Sequence, residues 1–583
     1  LRYLTGAAPA SLRRLEELRL LDMSETGIYR RPETPAYTAP PSTELSEAQS
    51  EAVRRLYAML EAGTPACALL HGVTGSGKTN VYIELMRRAI ERGGSCLILA
   101  PEIALTPQLL ERFAAHFGDR VAILHSGLSL GERMDEWKRV RAGLCDVVVG
   151  TRSAVFAPLS NLSLIILDEE HEASYKSEAS PRYHAREVAK YRAVQNGALL
   201  VLGSATPSLE SMYAARCGQY TYIELPARYQ DRPLPAVQIA DMAAGLREGG
   251  MGCIGGVLYR ELRENLTRGE QSILFLNRRG ASKYVVCAEC RTAPECPRCS
   301  RCLVYHSVSG RLHCHLCGHS EKLGEVCGCG GELKMVGAGT QKVVEELAEL
   351  FPKTPVLRLD ADTTMRKGSA QGILREFARR RVPVLVGTQM VAKGLDFPGV
   401  TLVGVINADA ALWAADFRAH EKTFSLITQV VGRGGRGQTP GRAVLQSYSG
   451  LQPTLTEAAA QDYHRFYERE VELRRLLNLP PFTHLTRLCL FGARQDEVLK
   501  ACLRVRGWLE RWIQDQDRGD AAVLGPAPAS VLKVNLRYRY HLTLTAGRRE
   551  TLRVLTASVM KAFPKDAQSR GVSLYADPDA EES

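Results

Sequence analysis

The chain has 583 residues, 45% of them hydrophobic, enough for three to five domains with sizeable cores. The longest apolar runs, such as Leu162–Leu167, are far too short to cross a bilayer, and neither a signal peptide nor a solenoid repeat is legible. The formal net charge of +11 favours polyanionic partners only weakly and suits a basic enzyme equally well.

Residues 1–42 open with helical spacing at Leu12, Leu15 and Leu18 and close in a proline-rich stretch from Pro32 to Pro41. That is the pattern of a small domain's end followed by a linker. Leu1 is not an initiator methionine, so an N-terminal domain is expected to precede it. From Ala66 short apolar runs alternate with helical patterns such as Val81–Ile90. Cys67–Leu70, Cys96–Leu99, Val121–Leu124, Val147–Val149, Leu164–Leu167 and Leu199–Leu202 predict strands of a parallel sheet covered on both faces. Ligands gather at the carboxyl ends of such strands. The pattern restarts at Ile273–Leu276, breaks for a cysteine cluster, and resumes at Val356–Leu359, Val384–Val386, Leu402–Ile406 and Val444–Gln446. A charged helix over 463–477 ends at Pro480-Pro481, and a mixed α+β tail follows.

Gly72-Val73-Thr74-Gly75-Ser76-Gly77-Lys78-Thr79 has P-loop spacing, with a strand before it and a helix after it. Glycines let backbone amides turn around phosphates, and the helix N-terminus adds partial positive charge. Lys78 reaches the outer phosphates and Thr79 helps hold Mg²⁺. Asp168-Glu169-Glu170-His171 follows Leu164–Leu167. Asp168 is expected to bind Mg²⁺ and Glu169 to orient and deprotonate the attacking water. Ser204-Ala205-Thr206 also closes a strand. In the second lobe, Gln429 to Arg436 offers Arg433 and Arg436, guanidiniums three residues apart that can stabilise charge on a transferring phosphoryl group if the lobes close over one nucleotide. Alone, an acidic cluster is more often a solvated turn and an arginine pair a solvated face; the P-loop upstream changes that balance.

Nine of the 16 cysteines lie between Cys287 and Cys329, which points to metal rather than disulfides. Cys287/Cys290, Cys296/Cys299, Cys314/Cys317 and Cys327/Cys329 supply eight thiolates, enough for two tetrahedral Zn²⁺ ions, and spacing alone does not pair them. Cys302 is an additional thiol, a bystander or a stand-in ligand. His306, His313, His315 and His319 read as surface histidines rather than ligands.

The ordered series of motifs resembles a superfamily 2 helicase, and more narrowly the primosomal protein N′ (PriA) family of bacterial replication-restart helicases. The stretches that carry the likeness include APEIALTPQ at 100–108, LHSGL at 124–128, VGTRSAVF at 149–156, LDEEHEASYK at 167–176, LGSATPSLES at 202–211, FLNRRG at 275–280 and VGTQMVAKGLDFP at 386–398. The resemblance implies an α/β fold: two RecA-like P-loop lobes with parallel sheets, a zinc-binding insertion in the second, a partial winged helix at the N-terminus and an α+β C-terminal domain. The implied map is 1–42 winged-helix remnant and linker, 43–225 lobe 1, 226–285 and 333–455 lobe 2, 286–332 zinc insertion, and 456–583 C-terminal domain.

The family's roles carry over by position. Gln49 resembles the adenine-reading glutamine, and ATP and Mg²⁺ would be held by Gln49, Gly72, Thr74, Gly75, Ser76, Gly77, Lys78, Thr79, Asp168 and Gln429. Pro101, Glu102, Thr151, Arg152, Gly387, Thr388 and Gln389 lie where single-stranded DNA would run, with Lys393 and Asp396 near the nucleotide. Tyr175–His184 resembles an aromatic-rich loop that links DNA contact to hydrolysis, with Pro181 where an aromatic is usual. Gly434 stands where Ala is usual and Leu395 where His is usual. The zinc ligands nest as Cys287, Cys290, Cys327 and Cys329 around one ion and Cys296, Cys299, Cys314 and Cys317 around the other, although Cys327 and Cys329 have one intervening residue where the family has two. Gly525–Pro528 and the Arg537-Tyr538-Arg539-Tyr540 run resemble the family's DNA-binding C-terminal domain. From pattern alone that run is equally a strand with Tyr inward and Arg outward.

The implied partners are branched and single-stranded DNA, single-stranded DNA-binding protein, and primosome and helicase-loading proteins, without a membrane. The implied location is cytoplasmic and nucleoid-associated. The implied activity is an ATP-dependent 3′→5′ DNA helicase that recognises stalled or branched forks and initiates primosome assembly. The alternative is a fork-binding scaffold that unwinds poorly, motivated by Pro181, the tightened cysteine pair and the domain expected before Leu1. An RNA helicase fits the insertion and tail less well.

Overall fold

The computed structural model describes residues 8–21, 29–30, 44–101, 107–228, 234–243, 252–276, 284–298, 302–306, 310–336, 339–360, 363, 369–380, 382–388, 391, 397, 399–414, 416–434, 439–450, 452–515 and 519–580. Cys299 and Arg436 fall outside them, as do Glu102, Gln389, Lys393, Leu395, Asp396 and residues 277–280.

Seven strands form the first sheet: β1 (Ala66–Gly72), β2 (Ser95–Leu99), β3 (Val121–Leu124), β4 (Val147–Gly150), β5 (Leu162–Asp168), β6 (Leu199–Ser204) and β7 (Thr221–Leu225). They run parallel in the order β3-β4-β2-β5-β6-β1-β7. The central strands are buried along their length, as expected of apolar runs covered on both faces. The second sheet has the order β15-β16-β9-β17-β18-β8 and is likewise parallel. Its strands are β8 (Ala236–Asp241), β9 (Gln271–Leu276), β15 (Val356–Leu359), β16 (Val384–Gly387), β17 (Val400–Ile406) and β18 (Arg442–Ser447). These are the two lobes.

Between β9 and β15 the chain leaves the second sheet to build a small module. β10 (Tyr284–Cys287) pairs antiparallel with β14 (Leu333–Val336), while β11 (Val304–His306), β12 (Arg311–His313) and β13 (Ser320–Lys322) form a separate three-stranded ladder. The β10/β14 pair is the stem of the insertion, so the module begins and ends slightly outside 286–332.

The helices that matter to the site are α1 (Pro9–Glu17), α2 (Glu47–Glu61), α3 (Lys78–Glu91), α4 (Ala185–Asn196), α5 (Leu209–Arg216), α6 (Ala419–Val431) and α7 (Tyr463–Leu476). α1 leaves Leu15 and Leu18 exposed. The linker behind it touches lobe 1 where the Arg30 amide donates to Asp135 Oδ2 at 3.1 Å.

α7 departs from the map above. Its apolar face packs on the lobes rather than on the C-terminal sheet: Phe466 stacks on Phe424 of α6 at 4.3 Å, and the Tyr463 hydroxyl donates to the Pro207 carbonyl of lobe 1 at 2.7 Å. The C-terminal unit proper is an antiparallel sheet in the order β20-β21-β19-β22, from β19 (His484–Gly492), β20 (Ala521–Val534), β21 (Arg537–Ala546) and β22 (Val572–Pro578). Helices α8 (Gln495–Asp515) and α9 (Arg549–Ala562) cover it, and it has its own core around Leu488, Leu542 and Val559. Among the described residues no helix is long and apolar enough to cross a membrane.

Candidate nucleotide site and cysteine module

The P-loop turns out of β1 and enters α3 through Gly77, whose φ of 80° is left-handed. A Cβ at Gly77 would lie 2.4 Å from Gln49 Nε2, so only glycine fits. Gln49 is 1% exposed. Its Nε2 donates to the Ser76 carbonyl at 2.8 Å and its Oε1 accepts from the Ser46 amide at 3.0 Å, closing the capping box of α2. Both ends of the amide are engaged within the chain. Gln49 therefore braces the P-loop from behind with one amide hydrogen and one oxygen lone pair.

Inside the loop, Lys78 Nζ donates to the Gly72 carbonyl at 2.8 Å. Thr74 Oγ1 and Ser76 Oγ are buried with no hydrogen-bond partner. Buried hydroxyls are rarely left unpaired, so these two, with the lysine and the start of α3, fit a phosphate chain.

Asp168 closes β5, which lies two strands from β1 with β6 between them. Tyr82, one helical turn beyond Lys78 on α3, donates to Asp168 Oδ1 at 2.9 Å. Tyr82 reaches it only because Gly203 has no side chain: a Cβ there would stand 1.8 Å from the Tyr82 oxygen. The Tyr175 hydroxyl bonds the Asp168 carbonyl at 2.6 Å and the Leu99 carbonyl at 2.8 Å, tying β5 to β2. Burial pushes the Asp168 carboxyl up to about 6; the Glu169 charge adds to this and Lys78 opposes it. A half-buried carboxylate beside a second carboxylate calls for a cation, and Mg²⁺ is the one that suits oxygen donors and phosphates. Glu169 adopts a φ of 47° and its Oε2 is buried without a hydrogen-bond partner, 3.7 Å from His171 Nδ1. Glu170 is structural, its carboxylate taken by the Ser208 amide at 2.7 Å and by Arg186 at 3.0 Å.

His171 is the hub between lobes. Its Nδ1 pairs with Ser204 Oγ at 2.7 Å and its Nε2 lies 2.9 Å from Gln429 Nε2 of α6. The Gln429 amide donates to the ring, so the opposite nitrogen donates to Ser204. Ser204 Oγ also accepts from the Thr206 amide at 2.9 Å. At the end of α6, Gly432 lies against the Thr74 side chain of the P-loop, and Arg433 follows it, half-buried. Arg228, on the connection between lobes, is buried and donates to the Gly432 carbonyl at 3.2 Å. It stands beside Gly75, and nothing in its sequence context marked it.

The loop at 175–184 is anchored at both ends. Tyr175 is fully buried, and His184 accepts from the Arg186 amide at 3.2 Å to cap α4. Of the three, Tyr183 keeps a ring at the surface, edge-on to Phe156 at 4.9 Å. Arg152 donates to the Ser174 carbonyl at 3.1 Å and to the Lys176 carbonyl, so a residue of the expected DNA path holds this loop. The loop also docks on the C-terminal sheet: Lys176 Nζ is 3.0 Å from Asp577, and the Arg182 guanidinium lies over the Tyr575 ring at 4.0 Å. A cavity of about 270 Å³ beside this contact carries Arg182, Arg487 and Arg539 with Tyr575. Arg539 thus lies on a strand, half-buried, with Tyr540 turned into the core.

The thiols of Cys287, Cys290, Cys327 and Cys329 lie within 4.8 Å of one another, as do those of Cys296, Cys314 and Cys317. Sulfurs are 3.5 Å apart for Cys287–Cys329, 3.7 Å for Cys290–Cys327 and 3.6 Å for Cys296–Cys317. A tetrahedron of thiolates around zinc has edges of about 3.8 Å. The clusters therefore fit zinc, and the single residue between Cys327 and Cys329 does not keep either thiol from the group. Among the described residues Cys302 joins neither cluster; it bridges Glu295 and packs half-buried on the core. His315 is not a surface residue. It is 2% exposed, its Nδ1 is 2.9 Å from the Pro528 carbonyl, and His541 Nε2 is 2.8 Å from the His315 carbonyl, so it pins the module to the C-terminal sheet.

Two parallel-sheet lobes, a P-loop with an acidic pair in the first, and a glutamine–arginine segment from the second closing on it define an ATP-dependent helicase motor. Family profiles agree: DEAD/DEAH box helicase over residues 46–214, Helicase conserved C-terminal domain over 332–438, and Primosomal protein N C-terminal domain over 475–579. Replication restart protein PriA of Bacillus subtilis is 39% identical over 98% of this chain and 71% of its own length. The Synechocystis protein of that name is 43% identical over 92% and 66%, and that of Haemophilus influenzae 38% over 86% and 68%. The chain belongs to the PriA family of replication restart helicases. Among solved structures, RecG bound to a three-way DNA junction covers 76% of this chain and 46% of its own at 18% identity and a TM-score of 0.43, too distant to bear on the site.

Proposed function

We propose that this chain couples ATP hydrolysis to 3′→5′ movement on DNA, engages stalled or branched forks, and starts primosome assembly there. The observation that carries the reading is the His171 bridge. One imidazole contacts the acidic motif, the strand-end Ser204 and the second lobe's Gln429, so lobe closure is communicated to the hydrolytic carboxylates.

Gly75, Gly77, Lys78 and Thr79 hold the phosphates, with Thr74 and Ser76 supplying hydroxyls. Mg²⁺, when bound, neutralises charge on the outer phosphates and is held by Thr79 and Asp168. Glu169 takes the proton of the attacking water. Arg433, with Arg436, stabilises charge on the transferring group. The cysteine clusters hold two structural Zn²⁺ ions, since all-thiolate sites leave no open position. DNA crosses both lobes along Pro101, Thr151, Arg152, Gly387 and Thr388, and Arg182, Arg487, Arg539 and Tyr575 continue a basic, aromatic path onto the C-terminal sheet. Single-stranded DNA-binding protein and helicase-loading proteins are the proposed partners, at the nucleoid.

ATP turnover with forked DNA, single-stranded DNA and RNA side by side, together with strand displacement, tests this. Strong stimulation by DNA and ATP-dependent unwinding are expected. ATP binding without any response to a strand would overturn the motor reading, and stimulation without displacement would favour the scaffold.

A further inference from the structure

β1, the strand that delivers the P-loop, carries His71 immediately before Gly72. No step above uses this residue, which is 4% exposed. Its Nδ1 lies 2.9 Å from the Tyr222 hydroxyl and 3.9 Å from Glu224 Oε1, both on β7. Glu224 Oε1 is 2.9 Å from His464 Nε2 on α7. One donor atom from each of His71, Glu224 and His464 falls within 4.8 Å of the others.

The surroundings are those of a ligand set. His71 is almost fully buried, a setting that favours the neutral imidazole with its lone pair. The Tyr222 hydroxyl at 2.9 Å and the Tyr463 ring, edge-on at 4.9 Å, hold the imidazole in place. The Glu224 and His464 side chains are 38% and 44% exposed, which opens the cluster to solvent. Two imidazoles, a carboxylate and a neighbouring phenol make a nitrogen–oxygen donor set. That set suits Zn²⁺, Co²⁺ or Ni²⁺ and is foreign to Mg²⁺ or Ca²⁺.

We propose that His71, Glu224 and His464 form a reversible transition-metal site of the zinc class, with the Tyr222 oxygen as fourth neighbour, and that a metal ion there slows the motor. The cause is mechanical. His71 and Glu224 belong to lobe 1, whereas α7 bridges the lobes: it reaches lobe 2 through Arg474–Glu421 at 2.6 Å and the Phe466–Phe424 stack, and lobe 1 through the Tyr463 hydroxyl on the Pro207 carbonyl at 2.7 Å. An ion bonded to both sides adds a stiff link between the P-loop strand and a helix that also holds the opposite lobe. On binding, the His464 proton shifts from Nε2 to Nδ1, and Arg216, now 3.4 Å from Nδ1 and about half exposed, turns outward.

The test uses the full chain with its cysteine sites loaded with zinc and free metal removed. Zn²⁺ and, separately, Co²⁺ are titrated without nucleotide, by calorimetry and by Co²⁺ visible absorption. One further equivalent is expected. Zn²⁺ should then lower DNA-stimulated ATP turnover roughly tenfold, an ordinary coupling between two sites. His464→Ala and Glu224→Gln should lose both effects and keep metal-free turnover. Absence of the further equivalent in the unaltered chain overturns the site, as does inhibition that persists in both variants, the signature of Zn²⁺ displacing Mg²⁺. Binding without slower turnover overturns the mechanical coupling. The binding arm contains no ATP, so its result is independent of the motor reading.

Discussion

Glu169 illustrates how single residues are set for chemistry. A non-glycine residue at a φ of 47° costs of order 1–3 kcal/mol, and the strain aims a carboxylate whose Oε2 has no hydrogen-bond partner. Such an oxygen is available to a water molecule next to the phosphates. Glu169→Gln keeps the shape and removes the base. Nucleotide binding should persist while turnover falls by about 10²–10⁴-fold, measured as single-turnover hydrolysis beside nucleotide affinity. Unchanged hydrolysis would remove Glu169 from the role. Tyr82 and Gly203 matter at the same scale: one positions Asp168 and the other makes room for it. Tyr82 was legible in principle, being four residues from Lys78 on one helix face. Gly203 was not, because its neighbour in space is 121 positions away in sequence.

At the scale of elements, the cysteine module has little apolar core of its own. Its buried apolar set is small, around Val285, Leu303 and Leu312. Cys329→Ser removes one donor from the outer cluster. Zinc content should fall by about one ion per chain, and residues 284–336 should become more sensitive to protease while the lobes stay folded. Undiminished metal content would assign the ligand elsewhere. The doubled Cys-x₂-Cys spacing was readable from sequence, but the pairing was not, because four pairs nest in more than one way. Strands β7 and β8 also escaped the sequence reading. Thr221–Leu225 mixes exposed, half-buried and buried positions at a sheet edge, so no continuous apolar run marks it. α7 was readable as a helix, but its charged composition concealed that it belongs to the motor, with Arg474, 1% exposed, turned inward.

At the scale of the whole molecule, the two lobes and α7 are joined at that residue. Arg474 meets Glu421 of lobe 2 at 2.6 Å and lies 3.9 Å from Glu210 of lobe 1, where Arg418 also binds at 2.8 Å. Glu421 further accepts from the Leu209 amide at 3.0 Å. Within this junction burial pushes Glu470 up to about 7, although Arg474 and Arg469 pull the other way. A folded value above the ordinary carboxylate range means that the native state holds the proton more tightly. This contribution to stability is therefore complete below about 4.5 and is lost as pH rises through about 7. Glu470→Gln removes the titration. Its thermal midpoint should match that of the unaltered chain near pH 5 and exceed it by a few degrees near pH 8. Equal midpoints at both pH values would show that Glu470 does not titrate in the junction.

By itself the sequence marked a candidate nucleotide site and showed the parallel-sheet class of both lobes. Both are written in short contiguous patterns: a P-loop between a strand and a helix, carboxylates at a strand end, apolar runs alternating with helical spacing. Contacts across the fold, not local pattern, put Gln49 behind the loop, bury Tyr175, turn His184 onto a helix end, fasten the cysteine module to the C-terminal sheet through His315, and bring His71, Glu224 and His464 together. Each of these depends on side chains converging from segments far apart in the chain. Local pattern sets what a residue is able to do, and burial and neighbours set which of those things it does.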